Sequence, residues 1–308
     1  EYPTGRAADN LVNRGVVVVA SAGNTGEFGL FSMGVPGNAR KSIGVASIEN
    51  QKVHCRAALV SGGAPVGYLP LDNAQDPPRS GSAQLKDIGG GCNTDRSLFV
   101  GMDGKVAVAR KGRCPLGEIV LNARNNRASA LLIYNDVPGI FVGGLGAPIG
   151  LPVGTISQED GIVLAARARF FTSLTWTDQF VEAPNMGGGA ISHFSSYGPG
   201  PDLDLKPDLA APGGLIFSTL PLLKGGYGLA SGTSMSSPHV AGTPPLLLEA
   251  KRHTPAQAVR DLLQNTAVPR PLAGSSVPGS LEPVQHQGAG MVDIRAVIAA
   301  QSHDVPGK

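Results

Sequence analysis

The stretch Ser231-Gly232-Thr233-Ser234-Met235-Ser236-Ser237-Pro238-His239 concentrates hydroxyl side chains just ahead of a helix-like run. Ser and Thr oxygens often occupy such places only as helix caps. A Gly-Thr-Ser-Met turn leading into Pro-His-Val suggests a second use, a nucleophile carried at the helix start. With Ser234 in the turn just before the helix, its own backbone N–H points outward, unpaired, at the positive end of the helix dipole. Acyl transfer benefits from that arrangement, because a tetrahedral oxyanion needs donors fixed in advance. Gly232 lets the backbone come close to a substrate. Pro238 cannot donate to the Ser234 carbonyl, so the first turn is irregular from the outset.

An oxyanion needs a second donor, and Asn24 is a candidate. It follows Gly23 shortly after the apolar run Val16–Ala20. Loops at strand ends are where α/β sheets present ligand-binding groups.

The elements that must position these two residues are legible in the pattern. Ala7, Ala8, Leu11 and Val12 recur at helical spacing and Gly15 supplies a stop. Val16–Ala20 is a short β-branched run, the form of a strand covered on both faces, and the short apolar run Ile43–Ile48 reads as the next strand. Helix followed by parallel strand indicates an α/β layer architecture. From residue 55 to about 100 the chain reads as loop-rich, with Ser61-Gly62-Gly63, Asp76-Pro77-Pro78 and Gly89-Gly90-Gly91. Strands over Val106–Ala109, Leu131–Tyr134 and Val153–Ile156, with a helix over Leu116–Arg127, then form a βαβ-containing block. This block reads as a small domain set into a larger one, left through the linker Met186-Gly187-Gly188-Gly189. Thr254-Pro255-Ala256-Gln257 predicts a capping box for a helix whose buried face is Val259, Leu262 and Leu263. Asp293 is expected to cap a last helix, with Ile294, Val297 and Ile298 on one side. His303–Lys308 reads as a frayed tail, and residue 1 as a processed or truncated end.

Composition narrows the function classes. Of 308 residues, 42% are hydrophobic and 16% charged, so the chain is globular. Its 43 glycines and 25 prolines follow no short repeat, which indicates many tight turns and excludes collagen or a solenoid. A net charge of +2 gives no nucleic-acid surface and no polybasic membrane patch. The apolar runs are too short to span a bilayer. Cys55, Cys92 and Cys114 lack Cys-x-x-Cys spacing, leaving one disulfide plus a free thiol, or three buried thiols. Asp72, Asp76, Asp87 and Asp95 lack the alternation of a calcium loop and read as solvated. No cofactor is implied.

The motif Gly232–Gly242 resembles the nucleophile segment of subtilisin-like serine proteases, and Ser21-Ala22-Gly23-Asn24 resembles their oxyanion-hole segment. Phe194-Ser195-Ser196-Tyr197-Gly198, Lys206–Gly213 and Gln287–Val292 match in order and spacing as well. The resemblance covers residues 1–54 and 185–300. It implies an α/β fold with a subtilisin-like parallel sheet, partial here, and helices on both faces. It makes Ser234 the nucleophile and Asn24 the oxyanion donor. Ser21, Ala22, Gly23 and Thr233 become substrate-binding residues. Gly104–Cys114, Ala130–Asn135 and Leu151–Val153 resemble a protease-associated domain, a small α+β insert. The implied organisation is a catalytic domain in two parts, 1–54 and 185–308, interrupted by that insert over 55–184. By the same resemblance Cys92 pairs with Cys114, Cys55 stays free, and the protein is secreted.

A serine nucleophile needs a base and a group that orients the base. The Asp and His motifs that precede the oxyanion segment in this family do not occur in the sequence. His239, five residues beyond Ser234, projects about 140° around a helix axis and suits packing. His193 reads as a strand residue and His253 as part of a polar connection. Three readings stay open: part of a nicked enzyme, an incomplete sequence, or a relic kept for binding. The expected partners are a polypeptide substrate and an N-terminal chain or segment carrying Asp and His, with no nucleic acid and no membrane. Thr243-Pro244-Pro245 stands where the family continues its central helix, so that helix is expected to break or to be badly strained.

Overall fold

The computed structural model describes residues 2–185, 187–224 and 226–300. Met186 of the expected linker and the expected tail His303–Lys308 lie outside them. The chain divides into two units, Glu1–Gln51 with Gly187–Lys308, and Lys52–Met186. The first stretch carries α1 (Pro3–Asn13), β1 (Val19–Ser21) and β2 (Ile43–Glu49). The second unit follows with β3 (Lys52–Val60), β4 (Val66–Pro70), β5 (Asp72–Gln75), β6 (Ser82–Asp87) and β7 (Val106–Arg110). It continues through α2 (Leu116–Asn125), β8 (Ala130–Tyr134), β9 (Gly144–Ile156), α3 (Gln158–Arg167) and β10 (Ser173–Pro184). Back in the first unit come β11 (Leu209–Gly214), β12 (Ile216–Thr219), β13 (Tyr227–Ala230) and α4 (Thr233–Ala241). The remaining helices are α5 (Thr243–Ala250), α6 (Ala256–Asn265), α7 (Val284–Gln287) and α8 (Ile294–Ala299).

In the first unit β1, β2 and β11 form a parallel sheet in that order. Ile43 and Val45 of β2 join Leu209 and Ala211 in a core closed by Val240 of α4, Leu247 of α5, Val259 and Leu263 of α6 and Val297 of α8. Ala46 and Ile48 point the other way, against Ala210 and Ile191. With both sides covered, β2 is buried at every position from Ile43 to Ile48. The mixed α/β architecture with a parallel sheet is thus present. α1 buries Ala8 and Val12 but leaves Leu11 exposed.

Behind Ser234 the helix is divided in two, although Gly242 at the junction keeps helical angles (φ −74°, ψ −16°) and donates to Pro238 O at 3.1 Å. α4 ends at Ala241, Gly242 makes the junction, and α5 begins at Thr243. Pro244 and Pro245 therefore fall in the first turn of α5, where an N–H has no intrahelical acceptor anyway. Asp293 caps α8 as expected, accepting from Arg295 N at 3.0 Å and Ala296 N at 3.1 Å. Val297 is buried, whereas Ile298 is exposed. The capping box at Thr254 does not form. Its hydroxyl donates instead to the Lys251 carbonyl at 2.8 Å, closing the preceding turn.

The second unit holds a sheet in the order β4-β3-β10-β6-β7-β8-β9-β5, and an added β4–β9 pairing closes seven of these strands on themselves. β7-α2-β8 is the expected parallel βαβ unit. Ala107, Leu131 and Ile133 pack against Ile119 and Val120 of α2. Val106, Val108 and Leu132 pack against Leu164 of α3. The segment expected to be loop-rich instead holds β3 to β6. In β3 the inward residues Val53, Cys55 and Ala57 alternate with Lys52, His54 and Arg56, and the charges mask the strand. Cys92 and Cys114 form a disulfide with Cα atoms 5.9 Å apart, and Cys55 is a buried free thiol. Asp87 and Asp95 fasten the turn beside that disulfide: Asp87 Oδ1 accepts from Gly89 N at 2.9 Å, and Asp95 Oδ2 from Gly90 N and Cys92 N.

Candidate active site

Strand β1 delivers the oxyanion segment. Ala22 N donates to Val45 O at 2.9 Å and extends the sheet pairing one residue beyond Ser21. The chain then turns at Gly23, whose φ of +116° suits glycine. A Cβ there would lie 2.7 Å from Ser196 Oγ, so a side chain at this turn would have to displace the Ser196 hydroxyl.

Hairpin β12–β13 leads into the other half of the site. Gly232 N donates to Gly213 O at 2.8 Å, which sets the entry to α4. Ser234 is the second residue of α4, one step further into the helix than expected, and it is exposed. Its N–H is still among the helix-start donors that have no intrahelical acceptor.

Two long-range contacts join the halves. Asn24 Oδ1 accepts from both Thr233 N and Thr233 Oγ1, each at 2.9 Å. Thr233 Oγ1 in turn accepts from Gly23 N at 3.1 Å. Because the Asn24 oxygen faces these donors, its NH2 group is the end left for another acceptor. Asn24 Nδ2, Ser234 N and Asn24 Oδ1 lie 3.3 Å, 3.6 Å and 3.7 Å from the position a Cβ on Gly232 would take. Glycine at 232 keeps that space open. Two nitrogens that carry N–H groups thus lie near one another at the start of α4, where an acyl-transfer oxyanion would need donors.

Of the residues expected to line a substrate wall, Ser21 and Gly23 are partly exposed. Ala22 and Thr233 expose nothing, and Thr233 spends both its polar groups on Gly23 and Asn24. Thr233 therefore supports the site from beneath.

A strap over Phe194–Gly198 holds the Asn24 loop from its other side. Gly26 N donates to Phe194 O at 2.9 Å and Ser196 N to Gly23 O at 3.0 Å. Thr25 N donates to Ser196 Oγ at 3.1 Å. The Phe194–Gly198 motif is legible in the sequence, but the role of Ser196 is not, because its partners Gly23 and Thr25 lie at least 171 positions away.

The histidines are scattered. His239 is exposed on α4, and His193 and His253 lie in exposed turns, which corrects the strand expected at 193. His54 stacks on Phe180 in the second unit, with ring centroids 4.7 Å apart. His286 is buried. Lys206 and Asp208 form a buried pair at 2.6 Å. Burial pushes the Asp208 carboxyl up and the Lys206 ammonium down, and their mutual attraction opposes both shifts. Asp208 also accepts from Gly44 N at 2.6 Å and Gln264 Nε2 at 3.2 Å, so it ties β2 to α6.

Among the described residues, Cys92, Cys114 and Glu118 bring ligand-type atoms within 4.8 Å of one another, but the two sulfurs are bonded together and offer no thiolate. Among the described residues no helix is long and apolar enough to cross a membrane.

The model of the subtilase family, peptidase S8, matches residues 3–290. The minor extracellular protease Vpr of Bacillus subtilis (strain 168) is 31% identical over 316 residues, covering 100% of this chain and 38% of the relative. The C5a peptidase of Streptococcus pyogenes serotype M3 (strain ATCC BAA-595 / MGAS315) is 29% identical over 320 residues, covering 96% of this chain and 26% of the relative. The chain thus spans well under half the length of either relative. The psychrophilic subtilisin-like protease Apa1 of the Antarctic psychrotroph Pseudoalteromonas sp. AS-11 shares the fold, with TM-score 0.54 and 18% identity over 100% of this chain and 69% of that one.

Proposed function

This chain belongs to the subtilase family, and from that membership we propose that it is the nucleophile-bearing part of a serine endopeptidase acting on polypeptides. The observation that carries the reading is that Asn24 Nδ2 and Ser234 N lie 3.3 Å and 3.6 Å from the Cβ position at Gly232, next to the exposed Ser234.

In the proposed reaction a histidine takes the Ser234 proton as the hydroxyl oxygen attacks the scissile carbonyl. The carbonyl oxygen becomes an oxyanion, received by the Ser234 N–H and the Asn24 amide. The amine leaves with the proton, and water releases the acyl group from Ser234. Loss of a side-chain amide donor of this kind costs about 3–4 kcal/mol of transition-state stabilisation, a magnitude known from a bacterial subtilisin. Ser21 and Gly23 line the wall that receives the substrate, with the buried Ala22 and Thr233 behind it. In this reading the base and its orienting carboxylate come from a segment or chain that carries the Asp and His motifs absent from this sequence. Without them, only about 10³–10⁴-fold catalysis over water remains, from the oxyanion hole and binding.

The block 55–184 serves in this reading as a protease-associated domain that modulates substrate access, between catalytic parts 1–54 and 185–308. Secretion fits the Cys92–Cys114 disulfide, since such bonds persist in oxidising compartments.

An active-site-directed fluorophosphonate probe tests the proposal. Label on Ser234 in the native preparation, lost in Ser234→Ala, is the expected result. Absence of label in a preparation containing every chain of the protein would overturn it and leave an interaction module.

A further inference from the structure

We propose that His286, gripped by Glu282, is a positioning residue that holds the Asn24 loop through the Phe194–Gly198 strap. This rests on the reading of Asn24 as the oxyanion donor.

The strap is held on two sides. Toward the loop, Gly26, Thr25 and Ser196 make the bonds described above. Tyr197 N also donates to Ser32 Oγ at 2.9 Å, and Ser32 N returns a bond to Tyr197 O at 3.0 Å. Toward α7, Gly198 N donates to Gln285 O at 2.7 Å. His286 lies parallel to the Tyr197 ring, with centroids 3.6 Å apart and planes 9° from parallel. Its Nε2 meets the Ser195 carbonyl at 3.0 Å, and its Nδ1 meets Glu282.

The chemistry of these partners fixes the ring. A carbonyl oxygen can only accept, so Nε2 is the donor to Ser195, and Nδ1 shares a proton with the Glu282 carboxyl. Both side chains are buried, His286 at 4% and Glu282 at 8% exposure. Glu282 is itself pinned, its N–H donating to Arg270 O at 2.9 Å. Burying an imidazole and a carboxyl to hold one carbonyl is a poor way to gain stability, because desolvation offsets the contact. It is an effective way to fix orientation. The groups oriented are Ser195 and Tyr197, the two neighbours of the Ser196 that clasps Gly23 and Thr25.

Backbone amide exchange and probe labelling together test this in the full-length gene product. In His286→Leu, exchange at Thr25, Gly26, Ser32, Ser196 and Tyr197 should rise about tenfold or more, while Val45 in β2 and Val108 in β7 keep their protection. Glu282→Gln should stay close to wild type, because its amide can donate to Nδ1 and leave Nε2–H on Ser195. The fluorophosphonate rate at Ser234 should fall with the seam in His286→Leu and recover in Glu282→Gln. Should His286→Leu not fold, Glu282→Ala carries the same expectation. Unchanged exchange across the seam overturns the proposal, and so does fast exchange with an unchanged labelling rate. A wild type that takes no label sinks the protease reading separately; the exchange result then still decides whether His286 holds the Asn24 loop.

Discussion

Asn24 Oδ1 accepts two hydrogen bonds from Thr233, one from its N–H and one from its hydroxyl, each 2.9 Å long. The residues are 209 positions apart, so this contact ties the end of β1 to the start of α4. It also decides which end of the Asn24 amide is left for a substrate. Thr233→Val keeps the side-chain shape but removes the hydroxyl that also accepts from Gly23 N. An unpartnered polar group in a buried place costs about 1–3 kcal/mol. Thr233→Val should therefore lower stability to urea by that order and slow labelling of Ser234, while Thr233→Ser retains both. Equal behaviour of the two variants would show that the hydroxyl does not orient Asn24.

A side chain at Gly23 meets two separate penalties. The φ of +116° is unfavourable for an L-residue, and an added Cβ would sit 2.7 Å from Ser196 Oγ. Strain in such a region costs about 1–3 kcal/mol, before any displacement of Ser196. Gly23→Ala should lower the urea midpoint and raise exchange at Thr25 N, whose acceptor is Ser196 Oγ. In Gly23→Ala/Ser196→Gly, with the clash relieved, part of the stability should return. A double variant no more stable than Gly23→Ala would assign the whole penalty to the backbone angle.

What the sequence made legible follows from how local each signal is. The apolar run Ile43–Ile48 announces a strand by itself, and Asp293 ahead of Ile294 announces a cap. The two-sided strand expected over Val16–Ala20 is cut to Val19–Ser21, with Val16 exposed, because the apolar run starts in the turn after α1. The nearness of Asn24 to Ser234 needed the linked motifs, because nothing within either segment points to the other. β3 stayed hidden because Lys52, His54 and Arg56 occupy its outward positions. His286 carries no local signal: its partners Ser195 and Tyr197 lie far away in the chain, and only the fold brings them to α7. The Thr254 box failed because a hydroxyl that can cap a helix can equally close the turn before it.

Cys55 should behave as an inert thiol. Burial, with a smaller contribution from the Asp160 charge, pushes its pKa up from 9.0 to about 12. Thiolate is the reactive form, so a disulfide reagent at pH 8 should leave Cys55 untouched in the folded protein and modify it at once in guanidinium. The linkage has a definite sign. The folded state keeps the proton that the unfolded state loses, so this stability is complete below pH 9.0 and is lost as pH rises toward about 12. Cys55→Ala should flatten that alkaline decline. Rapid modification of the native thiol would show that the second unit opens around β3.

The prolines after α4 remove a donor that a neighbouring side chain replaces. In an unbroken helix residue 244 would donate to the carbonyl of residue 240, and proline has no N–H to give. Thr243 Oγ1 reaches the Val240 carbonyl instead, at 2.8 Å, in a buried position. Val240 itself is part of the core beneath the sheet, so its carbonyl has little access to water. Thr243→Val should therefore cost about 1–3 kcal/mol, the penalty of a buried acceptor left alone. Pro244→Ala restores the N–H that a continuous helix would aim at the same oxygen. In that background the Thr243→Val penalty should shrink, giving a coupling between the two positions of about 1 kcal/mol in a double-mutant cycle. Additive effects in urea denaturation would mean that Thr243 and the proline act independently, and that the division at Gly242 has another origin.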